Sequence, residues 1–335
     1  MPDAFLTGGT GFVGGGVLAA LVADGRDVVA LARDDAGRER VEALGARPAA
    51  GDVLDGASLA AAATGCRTFF HVAGINEHCS HDPGLMYRVN VDGAVNAVRA
   101  AAAAGAGRVV LTSSTAAIGE RKGEVGNEST EHSGSHLTDY ARSKAHGERA
   151  ARAEAERLGV DLVVVNPASV QGPGRVDGTA EILLAYLRGR LPAAIETTVS
   201  MVFADDCAAG HLLAEANGEP GERYILSGAT FSVREALRAL AAATGVEHRV
   251  RFLPAWTAVA AGAVIGPLWR LRGTTPPLCL ESARAIAHGH RFDGSKATRH
   301  LGLTYTPFEE ALRRTVEWYR QEGLLYLPPH GAVDS

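Results

Sequence analysis

No block of clustered lysine or arginine appears anywhere in the 335 residues, and the formal net charge is only -5. A chain without such a block has nothing to follow a phosphate backbone, so nucleic acid is not an expected partner. Cysteine is scarce and scattered: Cys66, Cys79, Cys207 and Cys279 form no Cys-x-x-Cys spacing. That pattern argues against a disulfide framework and for reduced thiols, and with them for a cytoplasmic setting. A glycine turn interrupts the first hydrophobic run, so no apolar leader opens the chain and secretion is not expected. Alanine runs at Ala60 to Ala63 and Ala100 to Ala104 recur without a fixed period, which excludes a solenoid. The segment Phe252 to Trp269 carries no charge, but Gly262, Gly266 and Pro267 interrupt it and much of it is alanine. A buried or pocket-forming helix is therefore expected there, and membrane contact is disfavoured.

What the chain does have is apolar mass, 46% of its residues, enough to bury a large core. Apolar runs at Val28 to Ala32, Thr68 to Val72, Arg108 to Thr112 and Asp161 to Val165 alternate with helical patterns. The helical patterns end at Leu44 and span Leu59 to Ala63, Met86 to Ala104 and Tyr140 to Leu158. Strands alternating with helices predict an α/β fold, a doubly wound parallel Rossmann sheet covered on both faces and joined by right-handed crossovers. Beyond Gly172 seven prolines from Pro173 to Pro277 break up the helical stretches, which predicts a smaller C-terminal substrate lobe. The expected boundaries are 1–171 for the Rossmann domain, with later segments returning to it, 172–327 mainly for the substrate lobe, and 328–335 for a loose tail.

The stretch Thr7-Gly8-Gly9-Thr10-Gly11-Phe12-Val13-Gly14 joins the apolar run Ala4 to Leu6 to a helical pattern. That is a strand, a glycine turn and a helix start. Gly8 supplies the tight turn, Gly11 a close backbone approach to a pyrophosphate, and Gly14 close packing of the helix on the sheet. A pyrophosphate placed there meets the unpaired N–H groups and positive dipole end of the helix.

Tyr140 and Lys144 stand four apart on a helical pattern, so their side chains share one face. A tyrosine near its usual pKa of about 10 exchanges protons poorly at neutral pH unless a neighbouring ammonium favours the phenolate, and Lys144 is placed for that. Ser114 follows the strand Arg108 to Thr112, at the carboxyl edge where parallel sheets bind ligands, with Ser113 and Thr115 as adjacent candidates. The segment Glu77-His78-Cys79-Ser80-His81-Asp82 reads better as a loop over the site, where His78 or His81 meets substrate, than as a metal cluster; no metal is expected. His71 reads as a packed or hydrogen-bonded strand-end residue. Trp256, Trp269, Leu183, Leu184, Tyr186 and Leu187 either line an apolar pocket or belong to core.

Taken together these motifs resemble the extended short-chain dehydrogenase/reductase family over nearly the whole chain. Thr7 to Gly14 is similar to its glycine motif, Asp52-Val53 to its adenine contact and His71-Val72-Ala73-Gly74 to its fourth-strand motif. Asn90-Val91-Asp92-Gly93 resembles its helix motif and Tyr140 to Lys144 its catalytic signature. Asn166-Pro167-Ala168-Ser169-Val170 resembles the segment beside the nicotinamide, and Phe203-Ala204-Asp205-Asp206 an element of the C-terminal lobe. Within the family the likeness is to the 3β-hydroxysteroid dehydrogenase and dihydroflavonol reductase branch. The resemblance implies catalytic residues Ser114, Tyr140 and Lys144, and a cofactor held by Gly8, Thr10, Gly11, Phe12, Val13, Gly14, Arg33, Asp52, Val53, Ala73, Gly74, Tyr140, Lys144, Pro167 and Val170. It also implies hydride delivery to a carbonyl carbon, protonation by Tyr140, orientation by Ser114, a nicotinamide ribose held by Lys144, and a homodimer.

At the end of the second strand an acid selects NAD, whereas an arginine accommodates the 2′-phosphate of NADP; here stand Ala32 and Arg33, with Asp34 next. NADP(H) is expected over NAD(H). Sugar-nucleotide dehydratases carry acids directly after the catalytic hydroxyl residue, where Thr115 and Ala116 stand, so dehydration is disfavoured. The expected activity is reduction of a ketone on an apolar or polycyclic small molecule. The alternatives are an NAD-dependent sugar-nucleotide epimerase and a nucleotide-sensing protein without turnover.

Overall fold

The computed structural model describes residues 1–325 except 273 and 275, so the tail expected at 328–335 lies outside the described residues. The first half runs β1 (Ala4–Thr7), α1 (Phe12–Ala23), β2 (Val28–Ala32), α2 (Asp35–Ala43), β3 (Arg47–Ala50), α3 (Gly56–Ala62), β4 (Thr68–His71), α4 (Pro83–Ala104), β5 (Arg108–Thr112), α5 (Asp139–Leu158) and β6 (Leu162–Pro167). The second half runs β7 (Ser169–Gln171), α6 (Thr179–Leu187), β8 (Ala193–Ile195), β9 (Thr198–Phe203), α7 (Ala204–Asn217), β10 (Arg223–Leu226), β11 (Ala229–Ser232), α8 (Val233–Thr244), β12 (Arg251–Leu253), α9 (Ala255–Leu271), α10 (Leu280–His288) and α11 (Phe308–Gln321).

Seven strands form one parallel sheet in the order β10-β6-β5-β4-β1-β2-β3. The fold is the doubly wound α/β architecture that the alternation predicts. Every residue of β1, β2, β4 and β6 is buried, because helices cover both faces and alternate side chains enter separate cores. Leu6, Phe70 and Val110 face the core under α1 and α7, and Phe5, Phe69 and Val109 face the one under α3, α4 and α5. Local chemistry sets the helix ends. Asp82 accepts from the Leu85 amide ahead of Pro83, and Gly105 closes α4 at φ 69. Thr138 caps α5 by accepting from the Ala141 amide, which fixes where the helix bearing Tyr140 begins.

Two strands of the sheet escape the sequence pattern. β3 is Arg-Pro-Ala-Ala on an exposed edge, and β10 returns from the second half to pair with β6. Beyond the sheet, β11-β9-β7 and β12-β8 form two small sheets. Leu183, Leu187, Leu240, Val316 and Tyr319 build a further core among α6, α8 and α11.

Two expectations are corrected, those for the cysteines and for the helix within 252–269. Cys79 and Cys279 are joined as a disulfide with Cα atoms 5.9 Å apart across a sequence separation of 200, while Cys66 and Cys207 are free and buried. Reduced thiols throughout, and the compartment argument drawn from them, do not hold; a pair so distant leaves no local spacing to read. Leu183, Leu184, Tyr186 and Leu187 are core. The helix within 252–269 is not enclosed either: Trp256 is 69% exposed. No helix among the described residues is long and apolar enough to cross a membrane.

Candidate active site

The carboxyl ends of the parallel strands open onto a cavity of about 1230 Å³. Gly8, in the turn after β1, has φ +81, and a Cβ there would sit 2.6 Å from the Ala73 nitrogen. The turn therefore lies directly against the end of β4. A Cβ on Gly14 would collide with the Gly8 carbonyl oxygen, so α1 starts flush with that turn. Gly11, the N-cap of α1, is different. No side chain caps it, and a Cβ there would meet only the Gly8 oxygen at 3.4 Å, so its surroundings are open. A cradle closed behind and open in front, at an uncapped helix N-terminus, fits the pyrophosphate of a dinucleotide.

Around that cradle lie Thr10, Phe12 and Val13, then Arg33 at the end of β2, Asp52 and Val53 after β3, Ala73 and Gly74 after β4, and Pro167 and Val170 at β6 and β7, all on the cavity wall. Gly93 on α4 lets that helix close on Val53, where an added Cβ would be 3.2 Å from the valine Cγ2. Arg40 donates to the Thr10 carbonyl at 2.9 Å and braces the turn from α2. Arg33 is exposed. Asp34 accepts from the Gly37 amide at 2.7 Å and caps α2.

Ser114, Tyr140 and Lys144 reach the same cavity from the end of β5 and the first turn of α5. Ser113, Ser114 and Thr115 all line the cavity; the Ser114 hydroxyl accepts from the Ala116 amide at 3.2 Å and is the one of the three that bears on the Tyr140 phenol's titration. Burial pushes the Tyr140 phenol above its ordinary range, while Ser114 and the charge of Arg175 oppose that rise. Lys144 donates to the Thr112 carbonyl at 2.7 Å, and burial brings its pKa down to about 8 against the pull of Glu148. The expected lowering of the phenol by Lys144 is thus replaced by Ser114 and Arg175, because Lys144 is turned to the β5 backbone. His71 bonds to the Thr7 hydroxyl at 2.9 Å; burial and the Lys144 charge bring its pKa down to about 3.

Several residues given no role of their own in the sequence surround the site. Asn90 donates to Ser143 at 2.9 Å and exchanges two hydrogen bonds with the Ile75 backbone, tying the β4–α4 loop to α5. Asn166 donates both to the Ser114 carbonyl, at 3.0 Å, and to the buried Glu148 carboxylate, at 2.9 Å. Arg175 lies 5.3 Å over the Phe12 ring on the cavity wall. Glu120, His288 and His290 form a polar patch on that wall, with His290 Nδ1 2.7 Å and His288 Nε2 3.4 Å from one Glu120 oxygen. Their signal is only the His-Gly-His spacing, which on its own carries no chemistry.

Of the loop Glu77 to Asp82, His78 reaches the cavity wall. The His78 ring stands 6.0 Å from that of Tyr140, edge-on, and burial lowers its pKa. Cys79 is taken by the disulfide, and Glu77 accepts from the Ser80 hydroxyl within the loop. Neither Trp256 nor Trp269 lines the cavity; its apolar wall is Ile182, Leu191, Ile195, Val199, Val233 and Ile286.

A glycine cradle on a doubly wound sheet, opening onto a Ser-Tyr-Lys constellation, defines a dinucleotide-dependent enzyme of the oxidoreductase type. Residues 4–227 match the NAD dependent epimerase/dehydratase family, and the chain belongs to it. A protein of Synechocystis sp. named as a dihydroflavonol 4-reductase is 34% identical over 327 residues, covering 95% of each chain. The sterol demethylase protein B of Methylococcus capsulatus is 31% identical over 325 residues, 96% of this chain and 99% of that protein. Among solved structures, the crystal structure of gox2253 superposes with a TM-score of 0.85 at 31% identity, covering 97% of this chain and 100% of that one.

Proposed function

We propose that the protein is an NADPH-dependent reductase of a ketone on an apolar or polycyclic small molecule, reversible as an alcohol dehydrogenase. The observation that carries the reading is the convergence of Ser114, Tyr140 and Lys144 on one cavity with the glycine cradle. When bound, the cofactor supplies a hydride to the carbonyl carbon. Tyr140 gives its phenolic proton to the oxygen that becomes the alcohol, and Ser114 donates a hydrogen bond to that oxygen while it carries negative charge. Arg175 supplies positive charge that offsets the phenolate left behind.

Arg33 is exposed at the end of β2, and Asp34 spends a carboxylate oxygen on the Gly37 amide. An arginine free for a phosphate beside a carboxylate committed to a helix cap supports NADPH over NADH. The apolar wall from Ile182 to Ile286 supports an apolar substrate, in keeping with a relative named for sterol and another named for a flavonoid-type ketone. A cytoplasmic setting goes with this reading, as the place where a reduced nicotinamide cofactor is regenerated.

Calorimetric titration of the purified chain with NADPH and, separately, NADH tests the cofactor. Tighter NADPH binding is expected, and preference for NADH, or a cofactor that copurifies without exchanging, moves the reading to an epimerase. Tyr140→Phe is expected to lower ketone reduction by about a hundredfold or more while leaving NADPH affinity unchanged. Full activity in that variant sinks the mechanism.

A further inference from the structure

We propose that the outer face of α9 docks on an anionic lipid membrane. The inner face of the helix is set by small residues: a Cβ on Gly262 would meet both the Ala283 Cβ and the Cys279 carbonyl oxygen at 2.8 Å, so α9 lies tightly on α10. The outer face is the unusual one. Trp256, Val264, Leu268 and Leu271 are 69%, 68%, 43% and 86% exposed, and Leu253, just before the helix, is exposed as well. Ala260 and Pro267 fill the gaps, giving steps of three or four residues along one stripe with no charge from Phe252 to Trp269. Scattered exposed apolar residues need no account, but a continuous stripe on a chain with 21% charged residues does.

Charge identifies what covers it. From residue 248 to 280 there is no Asp or Glu, while Arg249, Arg251, Arg270 and Arg272 stand at the two ends of the stripe, on a chain whose net charge is -5. Arg249, Arg251 and Arg272 are exposed, and Arg272 lies 5.2 Å over the Trp269 ring. An apolar face with tryptophan near each end and arginine beyond matches the layering of an anionic bilayer surface, with apolar residues in the acyl boundary and arginines among phosphates. A second copy of the chain fits worse, since an isologous pairing would set one arginine-flanked face against another.

Docking there reaches the cavity. β12, which leads into α9, pairs with β8 through Arg251–Ala193, Phe252–Ala194 and Leu253–Ile195, and those three β8 residues line the cavity. The membrane-facing helix thus continues from the strand that backs the cavity wall, which suits a ligand dissolved in lipid. The docking surface itself does not depend on the reductase reading, and its test uses neither cofactor nor substrate.

The experiment is flotation of the full chain with phosphatidylcholine vesicles, and with vesicles in which about one lipid in three is phosphatidylglycerol. Flotation with the anionic vesicles, weakened by salt, is expected. Val264→Glu should lower the bound fraction by about tenfold or more with an unchanged thermal midpoint. Arg249→Ala with Arg251→Ala keeps the apolar face and should weaken binding by about fivefold for each arginine removed. No flotation with anionic vesicles overturns the proposal, as does undiminished flotation of both variants. A concentration-dependent dimer in solution that Val264→Glu dissolves also overturns it, and assigns the face to a second copy.

Discussion

Lowering the pH should destabilise this fold through two histidines that are buried neutral, by an amount the structure sets. Burial brings the pKa of His71 down to about 3 and that of His211 down to about 4. His211 is locked in one tautomer: its Nδ1 meets the Cys207 carbonyl at 2.7 Å and so donates, leaving Nε2 to accept from the Thr112 hydroxyl at 2.9 Å. Thr112 also receives Lys144 on its carbonyl, so a proton on His211 would place a second charge near the Lys144 ammonium. In the unfolded chain both histidines titrate near 6.5. Between the folded and unfolded values the unfolded state binds more protons, so stability rises with pH there and is lost as pH falls below about 6.5. From about pH 7 to about pH 5 each histidine accounts for a loss of about 2 kcal/mol, roughly 4 kcal/mol for the pair. Equilibrium urea unfolding at those two pH values measures the loss, and His211→Gln, whatever it costs at neutral pH, should reduce the pH-dependent part by about 2 kcal/mol. A variant that keeps the full wild-type dependence would refute a neutral, buried His211.

Gly14→Ala brings a methyl group onto the Gly8 carbonyl oxygen, so α1 must move off the turn; NADPH affinity measured by calorimetry should fall at least about tenfold, with thermal stability reduced. Thiol titration of the unfolded, unreduced chain should find Cys66 and Cys207 but not Cys79 and Cys279; replacing the bonded pair by serine should cost about 2–5 kcal/mol, since the link closes a loop of some 200 residues.

The cofactor half was legible in the sequence because its determinants are local. Gly8, Gly11 and Gly14 owe their identity to a turn, an open approach and a helix contact all set within eight residues, and Tyr140 and Lys144 share a face by helical spacing alone. β1, β2, β5 and β6 are apolar runs bounded by turns, and a strand buried on both faces has little other choice of residue. β3 escaped because an exposed edge strand of Arg-Pro-Ala-Ala makes no apolar demand, and β10 because its partner β6 lies more than fifty residues earlier. The disulfide and the hold of Asn166 on Ser114 escaped for the same reason: each joins residues whose spacing in the chain carries no trace of their contact.

The substrate half is built on another principle, and the places taken by Trp256 and the Leu183 to Leu187 cluster show it. Those residues are conspicuous because they are large, and large apolar side chains gain most by full burial or by an apolar partner surface, so they went to core or to the outer face of α9. The apolar cavity wall draws instead on scattered residues, among them Ala193, Ala194, Ile195 and Val199 on the three-residue strand β8 and the start of β9. β8 has only the three residues of β12 as its strand partner, and β12 runs on into α9. The surface that the sequence marks only as an uncharged stretch between arginines therefore follows directly in the chain from the strand that backs the cavity wall.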